Sequence, residues 1–167
     1  DPRDLAARNF RICKMFADDS SRVTWLAYLD LWFSGEMEGV TGCDWLRSTL
    51  YFVELSKNYP DQVLILSFED FQRDTEKFVR DVCRFLDFPL SDFMLQSLLE
   101  VLPFSETKRL YGKHLGPILG GGGTVGKYIN FFSQEELVRF RRHVIDPARS
   151  AGVDLPSEYL EDRTQCP

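Results

Sequence analysis

Four consecutive glycines, Gly120 to Gly123, are the segment of this 167-residue chain best suited by composition to hold an anion. Successive backbone N–H groups in such a run can form a concave nest for a phosphate or sulfate. The run matches neither GxxxxGK[ST] nor GxGxxG, since no strand precedes it and no helix follows at once. The plainer reading is a flexible loop. Arg139, Arg141 and Arg142 form the densest cationic group. On a chain with 26 acids and 20 bases, net charge −6, they read more simply as a solvated helix face than as a polynucleotide stripe. Polymeric nucleic acid is therefore disfavoured, while a small phosphorylated ligand is not.

The remaining reactive side chains are scattered. Cys13, Cys43, Cys83 and Cys166 stand alone without a CxxC pair, and the only histidines are His114 and His143. A structural zinc site needs closer ligand spacing, so no metal is expected. Unpaired cysteines point to a reducing, cytoplasmic setting, with Cys83 a core thiol on a helix. No run approaches the roughly 18 apolar residues of a membrane span. The chain begins at Asp1 without Met, and no charged segment leads into an apolar one, so no signal peptide is visible.

These residues are positioned by a predominantly helical pattern. The composition, 44% hydrophobic and 28% charged with fourteen Phe, six Tyr and three Trp, predicts one aromatic-rich globular domain. Asp1-Pro2-Arg3-Asp4 reads as a helix start, with Pro in the first turn and carboxylates at the positive end of the dipole. Leu5, Phe10, Ile12, Met15 and Phe16 would line the apolar face of that helix, to about Ala17. A second helix is expected from Thr24 to Gly35 and a third from Asp44 to Tyr59, stopped by Pro60. Further helices open at Asp74, at Ser91 and at Ser133, where Glu136 completes a capping box. Between them, Pro103 to Phe132 loses periodicity and reads as irregular. The polar residues 153–167 read as a frayed tail.

Val63-Leu64-Ile65-Leu66 is the one convincing strand, a short apolar run of the kind buried on both faces of a parallel sheet. A strand of that kind needs neighbours for its N–H and C=O groups. Two readings follow: a helical domain with a minor strand, or part of an α/β fold whose other strands lie upstream of Asp1. The second is favoured.

Taken in order, the punctuation resembles the cytosolic-type sulfotransferases. Asp1 to Met15 is similar to their RNPKDVAVSYYHFHKM segment, and Gly42-Cys43-Asp44-Trp45 stands where their GSW does. Val63 to Asp70 is similar to VLFLFYED, and Phe85 to Leu90 to their FLG-PL junction. Phe104 to Lys108 is similar to SFxEMK, and Gly123 to Phe132 falls where the family has RKGxxGDWKxxF. The likeness spans nearly the whole chain to about Gly152. It implies a P-loop-NTPase-like α/β fold with a central parallel sheet, of which this chain would be the mostly helical C-terminal half, a partial domain over 1–167. It also implies transfer of a sulfuryl group from 3′-phosphoadenosine 5′-phosphosulfate (PAPS) to a hydroxyl or amine of a small-molecule acceptor, leaving adenosine 3′,5′-bisphosphate. Such chemistry needs a phosphate cradle, cations for the leaving phosphate and a base at the acceptor.

Carried over position by position, the family's 3′-phosphate serine falls on Arg8, which can bind phosphate bidentately or be an exposed helix arginine. Its adenine-contacting aromatic falls on Phe68 and its Thr and Phe on Leu102 and Phe104. Phe68 and Phe104 can stack on a purine or belong to the core. The family's Arg-Lys pair is replaced by Gly121-Gly122 before Gly123, and its Asp-Trp-Lys by Lys127-Tyr128-Ile129, so Lys127 restores a charge one position over. Neither the PKSGT phosphosulfate loop nor the strand bearing the catalytic histidine is present in these residues, and neither His114 nor His143 aligns with that histidine. The chain alone is expected to be inactive. The family dimer motif is not recognisable across Ile129 to Val138. Two functions follow: a PAPS-dependent sulfotransferase completed by upstream sequence, or a degenerate, non-catalytic binding module.

Overall fold

A computed structural model describes residues 1–34, 45–119 and 125–160. In chain order the helices are α1 (Pro2–Phe16), α2 (Trp25–Ser34), α3 (Trp45–Asn58), α4 (Phe68–Arg73), α5 (Thr75–Phe85), α6 (Asp92–Val101) and α7 (Phe104–Leu119). A 3-10 turn (Lys127–Asn130) then leads to α8 (Gln134–Phe140), a π-helical turn (Arg141–Ile145), α9 (Asp146–Ser150) and a last 3-10 turn (Ser157–Leu160). The chain divides into two compact units, the first made of Asp1–Leu55 with Gly126–Pro167, the second of Ser56–Val125.

The central parallel sheet is not found: among the described residues there is no strand. Val63 to Leu66 takes no regular secondary structure, and the amides of Gln62 and Val63 both bond back to the carbonyl of Tyr59 at 3.0 Å. No neighbouring strand among the described residues pairs with it, so the apolar run stays open, with Leu64 38% and Ile65 47% exposed. An apolar run of four fixes hydrophobicity but not a ladder, which also needs a partner strand.

The first unit holds an aromatic core. Ala6 and Phe10 from α1 meet Tyr28, Leu29 and Trp32 from α2, and Tyr128, Phe132, Leu137, Phe140, Val144 and Ile145 from the C-terminal segment. Ring edges meet faces at close range: Phe10 to Trp25 at 5.2 Å, Trp25 to Phe132 at 4.9 Å and Phe132 to Phe140 at 5.3 Å between centroids. Such pairs add about 0.5–1.5 kcal/mol each beyond area burial. The apolar face expected for α1 ends at Phe10, with Cys13 packed at its edge; Met15 and Phe16 are exposed. The expected frayed tail is instead anchored up to Tyr159, since Val153 and Tyr159 are buried; residues 161–167 lie outside the described residues.

Local signals explain most helix ends. Ser133 and Glu136 close a capping box, with Ser133 N–H donating to Glu136 Oε2 at 2.7 Å. The π turn precedes Pro147, which has no N–H to give the preceding turn, and the Asp146 amide reaches back five residues to the Arg141 carbonyl. Past α9, Gly152 takes φ +81° and donates to the Arg149 carbonyl, while Val153 donates to that of Ala148. This is a Schellman stop, and the left-handed φ is the reason for glycine there.

In the second unit, α4 and α7 were not expected. Ser67 caps α4, accepting from the Asp70 amide at 3.0 Å and donating its hydroxyl to Asp70 Oδ2 at 2.6 Å. The helix α7 replaces part of the expected irregular stretch. Its first turn is fixed by Glu106 and Thr107 amides on the Pro103 carbonyl and by the Glu106–Arg109 ion pair. Gly112, Gly116 and Pro117 are the residues that made it read as irregular. At the end of α5, Asp87 takes the left-handed position with φ +50°, and Phe88 N–H reaches the Cys83 carbonyl at 2.8 Å. Cys83 itself is half-buried rather than enclosed.

Candidate functional site

The first turn of α1 and the turn at Gly126 form one structure across more than 120 residues of sequence. Asp1 caps α1 by accepting from the Arg3 amide at 2.8 Å, and Pro2 follows it. Arg3 folds back on the same carboxylate, Nη2 to Oδ2 at 2.7 Å, with both side chains 3% exposed. Its guanidinium also lies 4.1 Å from the centre of the Tyr128 ring. Two buried charges are retained here because each satisfies the other and the cation covers an aromatic face.

Asp4 completes the junction. One carboxylate oxygen accepts from the Gly126 amide at 2.6 Å and the other from the Tyr128 amide at 2.8 Å. Bonds from backbone N–H to an ionised acceptor are roughly twice as strong as neutral ones. Gly126 has φ +85°, so the chain enters this turn in a conformation that glycine alone takes without strain. Lys127 sits between the two bonded amides and is half-buried. Nothing local in the sequence connects residue 4 with residue 126, which is why the role of Asp4 was read only as a dipole contact.

Arg8 lies one turn beyond Asp4 on the same face of α1 and is exposed. It has no ion-pair partner among the described residues, so its guanidinium is available to an anion. Of the other expected site residues, Phe68 and Phe104 open α4 and α7 in the second unit. Phe68 is half-exposed, its ring 6.0 Å from that of Phe71, and Phe104 is partly buried. Gly121, Gly122 and Gly123 lie outside the described residues.

No side chain among the described residues is arranged as a nucleophile or proton carrier. His143 Nδ1 is 2.8 Å from the Arg139 carbonyl, and its ring stacks on Phe33 at 5.0 Å. The side chain of His114 lies outside the described residues. Behind the junction, burial pushes the Tyr28 hydroxyl well above its ordinary pKa, with the nearby Cys13 thiol adding to the shift. Burial likewise raises Cys13. Both groups stay protonated at neutral pH, and neither fits a base. Among the described residues no group of three His, Cys, Asp or Glu side chains could hold a metal ion, and no helix is long and apolar enough to cross a membrane.

A helical chain with an anion-accessible arginine beside a glycine-entered turn is compatible with many phosphate binders; the sequence decides among them. A family model of the sulfotransferase domain matches residues 1–144. The chain belongs to that sulfotransferase family. No curated protein and no solved structure matches it.

Proposed function

We propose that this chain forms the nucleotide-binding part of a cytosolic-type, PAPS-dependent sulfotransferase domain that acts in the cytoplasm on a hydroxyl or amine of a small-molecule acceptor. The match of the sulfotransferase domain over residues 1–144 carries this reading. Arg8 fits the role of 3′-phosphate ligand: it is exposed, and among the described residues no carboxylate neutralises it. Asp4 holds the turn at Gly126, three residues after Gly123 in the sequence. Phe68, half-exposed, can offer a face to a purine, and Phe104 is the second candidate for that role. When bound, PAPS would supply the activated sulfuryl group. On this reading the phosphosulfate loop and the base come from outside these 167 residues.

Binding of adenosine 3′,5′-bisphosphate to a protein carrying this domain tests the proposal by isothermal titration. Arg8→Ala is expected to weaken it about tenfold and to abolish any preference over adenosine 5′-monophosphate, since a lost charge-assisted bond costs on the order of a tenfold change. An unchanged dissociation constant would return Arg8 to a solvated helix face. A second reading, a non-catalytic sulfotransferase-like module, is favoured by Gly121-Gly122 standing where the family resemblance places an Arg-Lys pair. Tight nucleotide binding without sulfuryl transfer by the complete protein would support it.

A further inference from the structure

Several cations in this molecule answer an acid on a neighbouring turn. On α5, Lys77 reaches Asp81 at 2.6 Å, Arg80 reaches Glu76 at 2.8 Å and Arg84 reaches Asp81 at 2.7 Å. The outer face of α1 is built differently. Arg8, Arg11 and Lys14 recur at every third position and are all exposed, and none has an ion-pair partner among the described residues. From Leu5 to Ala17 the chain contains no acid at all. The only acid within α1 itself is Asp4, and both its oxygens are taken by the amides of Gly126 and Tyr128. Like charges three apart on a helix repel, so this row weakens α1 unless an anion relieves it.

Two of the three are also held in place. The Arg11 guanidinium lies 5.7 Å from the centre of the Phe131 ring, and Lys14 Nζ lies 5.8 Å from that of Phe10. A cation seated on an aromatic ring loses less freedom when a ligand arrives. We propose that Arg8, Arg11 and Lys14 form a binding ridge for a small ligand carrying two or more phosphate or sulfate groups. At about 1.5 Å rise and about 100° per residue the cations step about 4.5 Å along the axis and about 60° around it, so that the ridge winds over about 9 Å of α1. That length spans a bis-anionic small molecule and not an extended polyanion, which the net charge of −6 would repel. The ligand has two possible sources: the phosphates of the sulfuryl donor, or an acceptor that already carries sulfates. The proposal shares Arg8 with the donor reading and stands without it.

The test is titration of the domain-bearing protein with adenosine 3′,5′-bisphosphate and, separately, with a trisulfated disaccharide, before and after Arg11→Gln with Lys14→Gln. Both positions are exposed, and unchanged circular dichroism checks that the double variant folds. The expected result is about tenfold weaker binding of at least one ligand, and a matching weakening of the wild type as salt rises from about 20 to 300 mM. Loss confined to the bisphosphate assigns the ridge to the donor; loss confined to the disaccharide assigns it to an acidic acceptor. If the disaccharide binds through the ridge while the bisphosphate binds nowhere, the ridge holds and the donor reading fails. Bisphosphate binding that needs Arg8 but ignores Arg11 and Lys14, with no disaccharide binding, overturns the ridge and leaves the donor reading intact. Failure of both ligands to bind the wild type also overturns it.

Discussion

The two units of this chain use apolar side chains in opposite ways. In the first, Phe10, Tyr28, Trp32, Phe132 and Phe140 close on one another, and Leu29, Leu137 and Ile145 are sealed beneath them. In the second, Val79 and Leu95 are the only apolar side chains fully buried among the described residues. Phe93 is 82% exposed, and Leu86, Phe88, Val101, Leu110 and Tyr111 also face outward. Local capping is nevertheless good in both: Ser67, Asp74 and Ser91 cap helices of the second unit as Asp1 and Ser133 do in the first. Caps define where helices start, but burial holds helices together, and only the first unit has much of it. The exposed cations Arg8, Arg11 and Lys14 and the Asp4 junction lie in the better-packed unit.

The largest effect should come from the centre of the packed unit. Phe140 is fully buried and touches Trp32, Phe33 and Phe132. Phe140→Ala should cost about 3–5 kcal/mol, the range for truncating a buried aromatic. All three tryptophans, Trp25, Trp32 and Trp45, belong to the first unit, so their fluorescence reports that unit alone. In urea, far-ultraviolet circular dichroism of the wild type should begin to fall before tryptophan fluorescence changes, as the sparsely packed helices α4 to α7 melt first. Phe140→Ala should bring the two transitions together. Coincident wild-type transitions would break the contrast between the units.

Most helix starts were legible in the sequence, whereas the division into two differently packed units was not, and what the sequence hid shares one cause. Helix starts at Asp1, Thr24, Asp74, Ser91 and Ser133 could be read because a cap acts within four residues. The same signal was present at Ser67 and Asp70, but Val63 to Leu66 drew that segment into a strand reading. Strand identity depends on a distant partner, and no residue near Leu64 says whether one exists. The Asp4 junction was illegible for a similar reason, since its two acceptors meet donors 122 and 124 residues away. Arg8 could be found only through family resemblance, and its exposure and lack of a described ion-pair partner appear only in three dimensions. Gly112, Gly116 and Pro117 misled in the other direction, because helix propensity is a weak prior once a first turn is secured.

A smaller effect, of opposite sign, is expected at Tyr28. Its ring is 2% exposed, stacks on Trp25 at 5.8 Å, and its hydroxyl has no hydrogen-bond partner. A buried hydroxyl left unpaired costs free energy that the wild type already carries, so Tyr28→Phe should stabilise the first unit by about 1 kcal/mol. The pH dependence gives an independent check. Burial raises the pKa of Tyr28 above its ordinary value of 10.0, so the folded state keeps the proton while the unfolded chain releases it. Stability from this group is intact below pH 10 and declines as pH climbs toward the folded pKa. In Tyr28→Phe that part of the alkaline decline should vanish, and a steeper decline in the variant would mean that the hydroxyl has a partner after all.

The smallest effect sharpens the comparison from the other side. If the second unit lacks burial, its ion pairs are the obvious alternative source of stability, and Lys77 is the best case, bonding Asp81 at 2.6 Å. Asp81 also takes a bond from Arg84, and these two cations hold its pKa below the ordinary 3.8, the Lys77 bond contributing most. The sign is that of a depressed carboxylate: any stabilisation is present above the unfolded value and is lost as pH falls through the folded one. Yet Lys77 is largely exposed and Asp81 still reaches water, so screening and side-chain entropy cancel most of the attraction. Lys77→Ala should therefore leave the dichroism-detected midpoint unchanged at neutral pH, with its acid-unfolding curve superimposed on that of the wild type. A clear fall in the midpoint at neutral pH that disappears by pH 2 would show that charge on α5 does in the second unit what aromatic packing does in the first.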